Sequence, residues 1–255
     1  DDDSPHFELY KRGISAFAEF TWGGLQRSKA EFKKVYRHRM FGSDFISEEF
    51  SFIDGLDKPV ELWTNLLVEE GTHRNALNQL KNPIKDYIID LPEFNNKGTW
   101  TQKYSSRLAE IKDQSGALKE IRRKIASLQA QNTSAKYNLE VYSEVINLVD
   151  YNFKLMKSLS LLDNTRSTEE EAKMIKNLQS LVYEFKEVRK QFEDVYSKSR
   201  ILIKPSDYIL DQDHHRHPAN QSINFDWQFT AELMLLNKIN KYLKIRDLET
   251  TSKAL

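Results

Sequence analysis

The sequence predicts a mainly α-helical protein: a C-terminal helical bundle, preceded by a helical connector and by one terminal strand–helix unit of a (β/α)8 barrel. Between Gly98 and Pro205 there is no proline and only one glycine, Gly116, so this stretch permits long helices. Apolar residues there recur at steps of three, four and seven, which is the spacing of one helical face. Most glycine and proline lies ahead of Gly98, where the organisation is therefore expected to differ.

The first 42 residues predict the strand–helix unit. The segment Ile14–Trp22 is short, mostly apolar and rich in aromatic residues, which is typical of a buried strand. The pair Gly23–Gly24 ends it, and Ser28 with Glu31 forms a capping box that opens a helix. A parallel strand needs neighbours on both edges, and the sequence offers no second convincing strand. A strand, a glycine turn and a helix in this order form a repeating unit of an α/β barrel or of a layered sheet, so we expect the chain to begin in the middle of a domain.

Residues 43–98 predict a helical connector between barrel and bundle. Pro59, Pro83 and Pro92 are expected to divide it into short pieces, because proline interrupts helices. The expected inward face consists of apolar residues at helical spacing: Leu62, Trp63, Leu66, Leu67, Leu77 and Leu80.

Residues 99–255 predict a bundle of four helices. Turn signals at Asn132–Thr133 and Asp163–Asn164 indicate that the chain folds back, and Ser167 with Glu170 marks the start of the third helix. Each apolar stripe must be buried against another, which four helices achieve as a bundle. The cleanest stripe is Ile175, Leu178, Leu181, Phe185, Val188, Phe192, Val195 and Leu202.

Composition limits the classes of function. The 255 residues hold 38 Lys+Arg and 38 Asp+Glu, so the formal net charge is zero, and we expect no nucleic-acid partner. No apolar run approaches the ~18 residues of a membrane span, so no membrane partner is expected. Cysteine is absent, which excludes disulfides, thiolate nucleophiles and cysteine-ligated zinc. Oligomeric state is left open.

Glu19 and Trp22 are the candidate binding residues, at the carboxyl end of the predicted strand. In barrel enzymes that end forms the active-site face, and tryptophan can supply an apolar platform for a sugar ring. The alternative is that Trp22 packs in the core and Glu19 pairs with Arg27.

A histidine cluster follows the third stripe, at Asp213, His214, His215 and His217. Imidazole and carboxylate groups are zinc ligands, so a metal site has to be considered. Adjacent histidines point in different directions, and Pro218 marks a loop, so the sequence favours a polar loop and predicts neither metal nor cofactor.

The segments Gly13–Gly24 and Arg27–Phe32 resemble the last barrel strand and last helix of bacterial glycoside hydrolases, above all the family-20 β-N-acetylhexosaminidases. Three further segments, Tyr208–His215, Ala219–Ser222 and Phe225–Phe229, are similar to the helical C-terminal region of such proteins. The related O-GlcNAc hydrolases also place a helical bundle after the barrel, and they remain an alternative kinship.

The resemblance implies hydrolysis of a terminal β-linked N-acetylhexosamine with retention, in which the substrate's acetamido oxygen is the nucleophile. In that family an adjacent Asp-Glu pair carries the chemistry, and this sequence contains no Asp-Glu dipeptide in that order. The catalytic carboxylates are therefore expected upstream of Asp1, and this chain alone is expected to be inactive. The resemblance also implies a carbohydrate partner and a periplasmic or extracellular location.

Only Trp22, as a wall of the sugar pocket, and Glu19, as a partner of sugar hydroxyls, carry over from the family. The family's usual order places the glutamate shortly after the tryptophan, whereas Glu19 precedes Trp22 by three residues. Residues three apart in a strand point to opposite faces, so Trp22 is the preferred assignment. The competing hypothesis is a non-catalytic helical interaction or scaffold protein, which predicts that the bundle itself buries Trp22.

Overall fold

The computed structural model is mainly helical where it is described, and the prediction of a mainly α-helical protein with a helical bundle is confirmed. The structure describes residues 7–23, 27–41, 52–72, 74, 86–130, 135–209 and 222–253. The helices in chain order are α1 (Phe7–Trp22), α2 (Lys29–Phe41), α3 (Phe52–Leu66), α4 (Thr99–Lys103), α5 (Ser105–Ala130), α6 (Lys136–Asp163), α7 (Thr168–Tyr196) and α8 (Thr230–Lys253). A 3₁₀ helix, Phe225–Phe229, leads directly into α8.

The long helix α6 lies at the centre of the bundle. It packs against α5 and α7, its neighbours in the sequence, while α3 contacts α5 and α6 and α8 packs along α7. The burial of α6 extends around most of its circumference, as expected for a helix with neighbours on several sides. Its fully buried side chains include Leu139, Tyr142, Ile146, Tyr151, Phe153, Leu155, Met156 and Leu159.

The third predicted stripe becomes the inner face of α7. The Ser167 side chain accepts a hydrogen bond from the backbone N–H of Glu170 and so caps the helix where the sequence predicts its start. Within α7 the buried stripe residues are Leu178, Leu181, Phe185, Val188, Phe192 and Val195. An aromatic cluster joins α7 to the 3₁₀ helix, with ring centroids of Phe192 and Phe229 at 5.5 Å and of Phe185 and Phe229 at 5.8 Å.

The predicted strand Ile14–Trp22 is a helix in the structure, and this part of the prediction is corrected. These residues continue α1 from Phe7 through Gly13 and end at Trp22. A strand without a neighbour would leave its backbone N–H and C=O groups unpaired, whereas a helix pairs them internally. The second half of the prediction holds, because Ser28 and Glu31 exchange capping-box hydrogen bonds of 2.9 Å and 3.2 Å at the start of α2.

The connector is helical only in part. Pro59 does not end a helix as predicted but lies buried inside α3, whose packing in the core retains the helix across it. The predicted inward residues Leu62, Trp63, Leu66 and Leu67 are buried, whereas Leu77 and Leu80 lie outside the described residues. Across the described ranges, the β-type pairing is a single antiparallel bridge between Val68 and Ile88.

Two further sequence predictions meet different outcomes. The turn at Asp163–Asn164 is confirmed, because α6 ends at Asp163. The turn at Asn132–Thr133 lies outside the described residues, between the end of α5 and the start of α6. Over the part of the chain that the structure describes, no helix is both long and apolar enough to cross a membrane.

Candidate functional site

The two sequence-predicted binding residues lie in the last turn of α1. Because the segment is a helix, Glu19 and Trp22 stand three positions apart on neighbouring parts of one surface, and the strand argument for opposite faces does not apply. The carboxylate of Glu19 forms an ion pair with Arg27, eight positions further along the chain, as the alternative expected. Trp22 is 91% exposed, so the core position that the alternative gave it is wrong.

Gly23 fixes how α1 ends. Its backbone N–H donates to the carbonyl oxygen of Glu19 at 2.8 Å, and a Cβ at this position would lie only 2.9 Å from the same oxygen. A side chain therefore does not fit without moving the backbone. The glycine predicted from sequence as a break thus has a steric reason to be there.

The apolar face of α1 points away from the bundle. Its exposed positions include Tyr10 and Ile14, each with about half of its surface accessible, and Phe17, with 74% accessible. At steps of four and three, these residues form one stripe along the helix. The charged residues Arg12 and Glu19 lie instead on the part-buried side. This is the reverse of an ordinary surface helix, which buries its apolar stripe and exposes its charges.

Ion pairs and one aromatic contact attach the inner side of α1. Arg12 pairs with Asp54 of α3, and Lys33 of α2 donates to the same carboxylate at 3.1 Å. Burial raises the pKa of Asp54, but the hydrogen bond from Lys33 and the charge of Arg12 outweigh it and hold that pKa below its usual value. The rings of Phe20 and Phe32 lie 5.6 Å apart and join α1 to α2.

A groove of about 790 Å³ runs along the end of α3 and the start of α5. The Tyr104 hydroxyl donates to Glu69 at 2.6 Å and accepts from the backbone N–H of Asp90 at 3.0 Å. Burial, reinforced by the bond to Glu69, raises the pKa of Tyr104 to about 12. The hydrogen bond to Asp90 raises the pKa of Lys103 as well. Tyr104 and Lys103 therefore stay protonated at neutral pH. They act in the groove as hydrogen-bond donors and not as bases.

The rest of the groove carries both signs of charge. Its lining includes Lys58 and Arg107 together with Glu61, Glu70 and Glu110. Arg107 donates to the carbonyl oxygen of Leu66 at 2.9 Å and so closes the end of α3. A lining of mixed sign selects neither an anionic nor a cationic ligand, so electrostatics assign the groove no ligand class.

A second polar cluster lies in the interior. The side chain of Glu232, at the start of α8, has 0% exposure. Its Oε1 atom accepts from Trp63 Nε1 at 3.2 Å and from Asn152 Nδ2 at 2.9 Å, and Arg74 forms an ion pair with it. The Arg74 guanidinium also lies 4.1 Å from the centre of the Trp63 ring. The cluster therefore joins α3, the connector, α6 and α8.

Sequence reasoning missed this interior cluster. The available signal was a polar residue inside an apolar stripe: Asn152 stands four positions from both Leu148 and Met156, and Glu232 three positions after Phe229. A polar residue at such a position must find partners or lose stability. Those partners lie far away in sequence, so the signal marks the position without identifying the contact.

Among the described residues, no group of three or more His, Asp or Glu side chains is arranged to hold a metal ion, and the Asp213–His217 cluster lies outside them. No family model matches the chain, and neither a curated protein nor a solved structure matches it.

Proposed function

We propose that this chain is the C-terminal part of a glycoside hydrolase resembling the family-20 β-N-acetylhexosaminidases, exported to the periplasm or beyond. Residues 1–42 complete the catalytic barrel, and the bundle supports it. The chain alone hydrolyses nothing, because the adjacent Asp-Glu pair of that family does not occur in it. In the parent enzyme Trp22 lines the pocket for an N-acetylhexosamine, whereas Glu19, three positions earlier in the same strand, points to the opposite face.

The observation that carries the proposal is the exposed face formed by Tyr10, Ile14 and Phe17. Burying apolar surface contributes ~25 cal/mol per Å². The exposed side chains of α1 would therefore gain free energy by packing against a further surface. Contiguous apolar surface of this kind is typical of an interface. If residues 1–42 belong to a barrel, we expect their apolar side chains to be poorly packed when the rest of the barrel is missing. If the chain is a self-contained bundle, we expect the bundle to bury Trp22. The 91% exposure of Trp22 supports the first alternative.

The helical state of Ile14–Trp22 fits the proposal through its context. Strand formation depends on the neighbours that supply edge hydrogen bonds and a second apolar layer. Barrel strands would supply both, and the apolar residues of both faces of this segment would then be covered. We therefore propose that the segment is the last barrel strand in the parent enzyme and a helix in this chain.

The test compares this chain with a longer form that restores the upstream barrel. Both receive a chromogenic β-N-acetylglucosaminide, and Trp22→Ala in the longer form is compared with Tyr183→Ala, an exposed aromatic on α7. We expect cleavage by the long form only, a raised KM for Trp22→Ala and an unchanged KM for Tyr183→Ala. An inert long form contradicts the hydrolase proposal, and an unchanged KM for Trp22→Ala contradicts the pocket role.

The second candidate is a non-catalytic interaction protein that uses α1 itself as a docking helix. The same outward face favours it, because exposed apolar residues at helical spacing are how helices enter grooves of partner proteins. Circular dichroism and hydrogen exchange of the long form separate the two candidates. Protection of Ile14–Trp22 as a strand supports the hydrolase, whereas a helix that stays exposed supports the interaction protein.

A further inference from the structure

The interior cluster around Glu232 has an unusual hydrogen-bond arrangement. One oxygen, Oε1, accepts hydrogen bonds from Trp63 and Asn152 and forms the ion pair with Arg74, so its partners come from three separate parts of the chain. The other oxygen, Oε2, is buried and has no hydrogen-bond partner among the described residues. Among the described residues, the contacts of the carboxylate are therefore all made through one of its two oxygens.

We propose that Glu232 is an internal clasp that locks α8 and the connector segment at Arg74 onto α3 and α6, so that these parts open as one unit. The contacts span the molecule: 169 residues separate Glu232 from Trp63, and 80 separate it from Asn152. A side chain with partners in three segments cannot leave one of them without disturbing the others. This clasp is independent of the proposed hydrolase function.

Arg74 is held from two sides. Its guanidinium stacks over the indole of Trp63 at 4.1 Å, while one end pairs with Glu232. Stacking on tryptophan and pairing with a carboxylate are both favourable for arginine, and its planar charged group suits them together. The indole N–H of Trp63 donates to the same carboxylate, so the three side chains fix one another's orientation.

The clasp is sensitive to the loss of one charged partner. In the described part of the chain, the three guanidinium nitrogens of Arg74 and the Oδ1 atom of Asn152 are buried without a hydrogen-bond partner, and Nη2 contacts Glu232 through the ion pair. Removing either charge alone therefore leaves the other buried with little compensation. Removing both charges together avoids that penalty. The expected signature is a double variant that is disturbed far less than the sum of the two single variants.

Hydrogen exchange on the full chain tests the clasp through Glu232→Gln, Arg74→Met and the double variant. We expect each single substitution to speed amide exchange in both α3 and α8 by about tenfold or more, and the double variant to recover much of that protection. Glu70→Gln is the matched control, because Glu70 is an exposed connector carboxylate. It should leave exchange in both helices within about twofold.

Asn152→Leu keeps the test decisive if a charged-partner variant fails to fold. This substitution removes one hydrogen-bond donor to Glu232 and leaves the ion pair with Arg74 in place. We therefore expect a smaller acceleration of amide exchange at the same positions of α3 and α8. Acceleration confined to α8, or an additive double variant, overturns the clasp. Equal exchange in Glu232→Gln and Glu70→Gln overturns it as well.

Discussion

Asp163, the last residue of α6, caps the distant helix α4. Its Oδ2 atom accepts a hydrogen bond from the backbone N–H of Thr101 at 2.8 Å, and its backbone carbonyl accepts from the N–H of Gly98 at 3.2 Å. Gly98 occupies the N-cap position of α4 and has no side chain to cap the helix itself. The cap is therefore supplied by tertiary structure, and it fixes the end of α6 against the start of α4.

Asp163→Ala should lower the free energy of unfolding by about 1–2 kcal/mol, because it removes a cap and leaves the N–H of Thr101 without its acceptor. Urea denaturation measures the change. Asp194→Ala is the control, since that exposed carboxylate of α7 pairs with its neighbour Lys190 on the surface. The control should change stability by about 0.5 kcal/mol at most. Equal effects of the two substitutions would contradict the capping role.

A pair of glycines gives opposite predictions for the same substitution. Gly98 has φ near 84°, a left-handed conformation that alanine adopts at a cost, so Gly98→Ala should destabilise the chain by about 1 kcal/mol. Gly116 lies inside α5, is exposed, and has open space where a Cβ would be added. Gly116→Ala should stabilise the chain by about 0.5–1 kcal/mol. Thermal denaturation of the two variants should shift the midpoint in opposite directions.

Two aromatic residues of α7 contrast core with surface. Phe192 is fully buried among the rings of Tyr196, Phe225 and Phe229, and Phe192→Ala should cost about 3–5 kcal/mol. Tyr183 is 71% exposed, and Tyr183→Ala should cost less than about 0.5 kcal/mol. Chemical denaturation distinguishes these values easily. A cost below 1 kcal/mol for Phe192→Ala would mean that the aromatic cluster is not part of a packed core.

Local patterns predicted the bundle because its signals are short in range. The stripe Leu178–Val195 and the cap at Ser167 each depend on residues within one or two helical turns, and both are found in the structure. The segment Ile14–Trp22 was predicted wrongly because nine mostly apolar residues suit a buried strand and a helix alike. Whether such a segment forms a strand or a helix depends on the elements packed against it, and sequence periodicity does not reveal those elements.

The polar interior was beyond sequence reasoning for a different physical reason. The burial of Glu232 is stable only with Trp63, Asn152 and Arg74 around it, and these lie in other segments. No local pattern shows that such residues meet. The sequence did offer the pairing of Glu19 with Arg27 as an alternative, since the two residues lie only eight positions apart. The roles of Glu19 and Trp22 in binding a sugar stay predictions.

Asp54 gives the attachment of α1 and α2 a pH dependence. Its pKa is lower in the folded chain than the usual value near 4, because Lys33 and Arg12 outweigh the effect of burial. Its contribution is therefore complete above about pH 4 and is lost as pH falls through the lowered pKa. Because the side chain is 45% exposed, the loss should be less than about 1 kcal/mol.

The measurement for Asp54 compares urea denaturation at pH 5 and at about pH 2.5 in the wild type and in Asp54→Asn. The variant should show a smaller difference between the two pH values. Asp57→Asn serves as the control, because Asp57 is more exposed and lies 3.6 Å from Arg12. The assignment is wrong if Asp54→Asn retains the full wild-type difference.

The position of Glu232 in the chain sets an order of events during synthesis. Helices α5, α6 and α7 are consecutive and pack on their sequence neighbours, so their contacts close short loops and form early. Trp63 and Arg74 leave the ribosome long before Glu232, which follows Trp63 by 169 residues. Until α8 emerges, Glu232 cannot take part, so the contacts that join α3 and the connector to α8 form last.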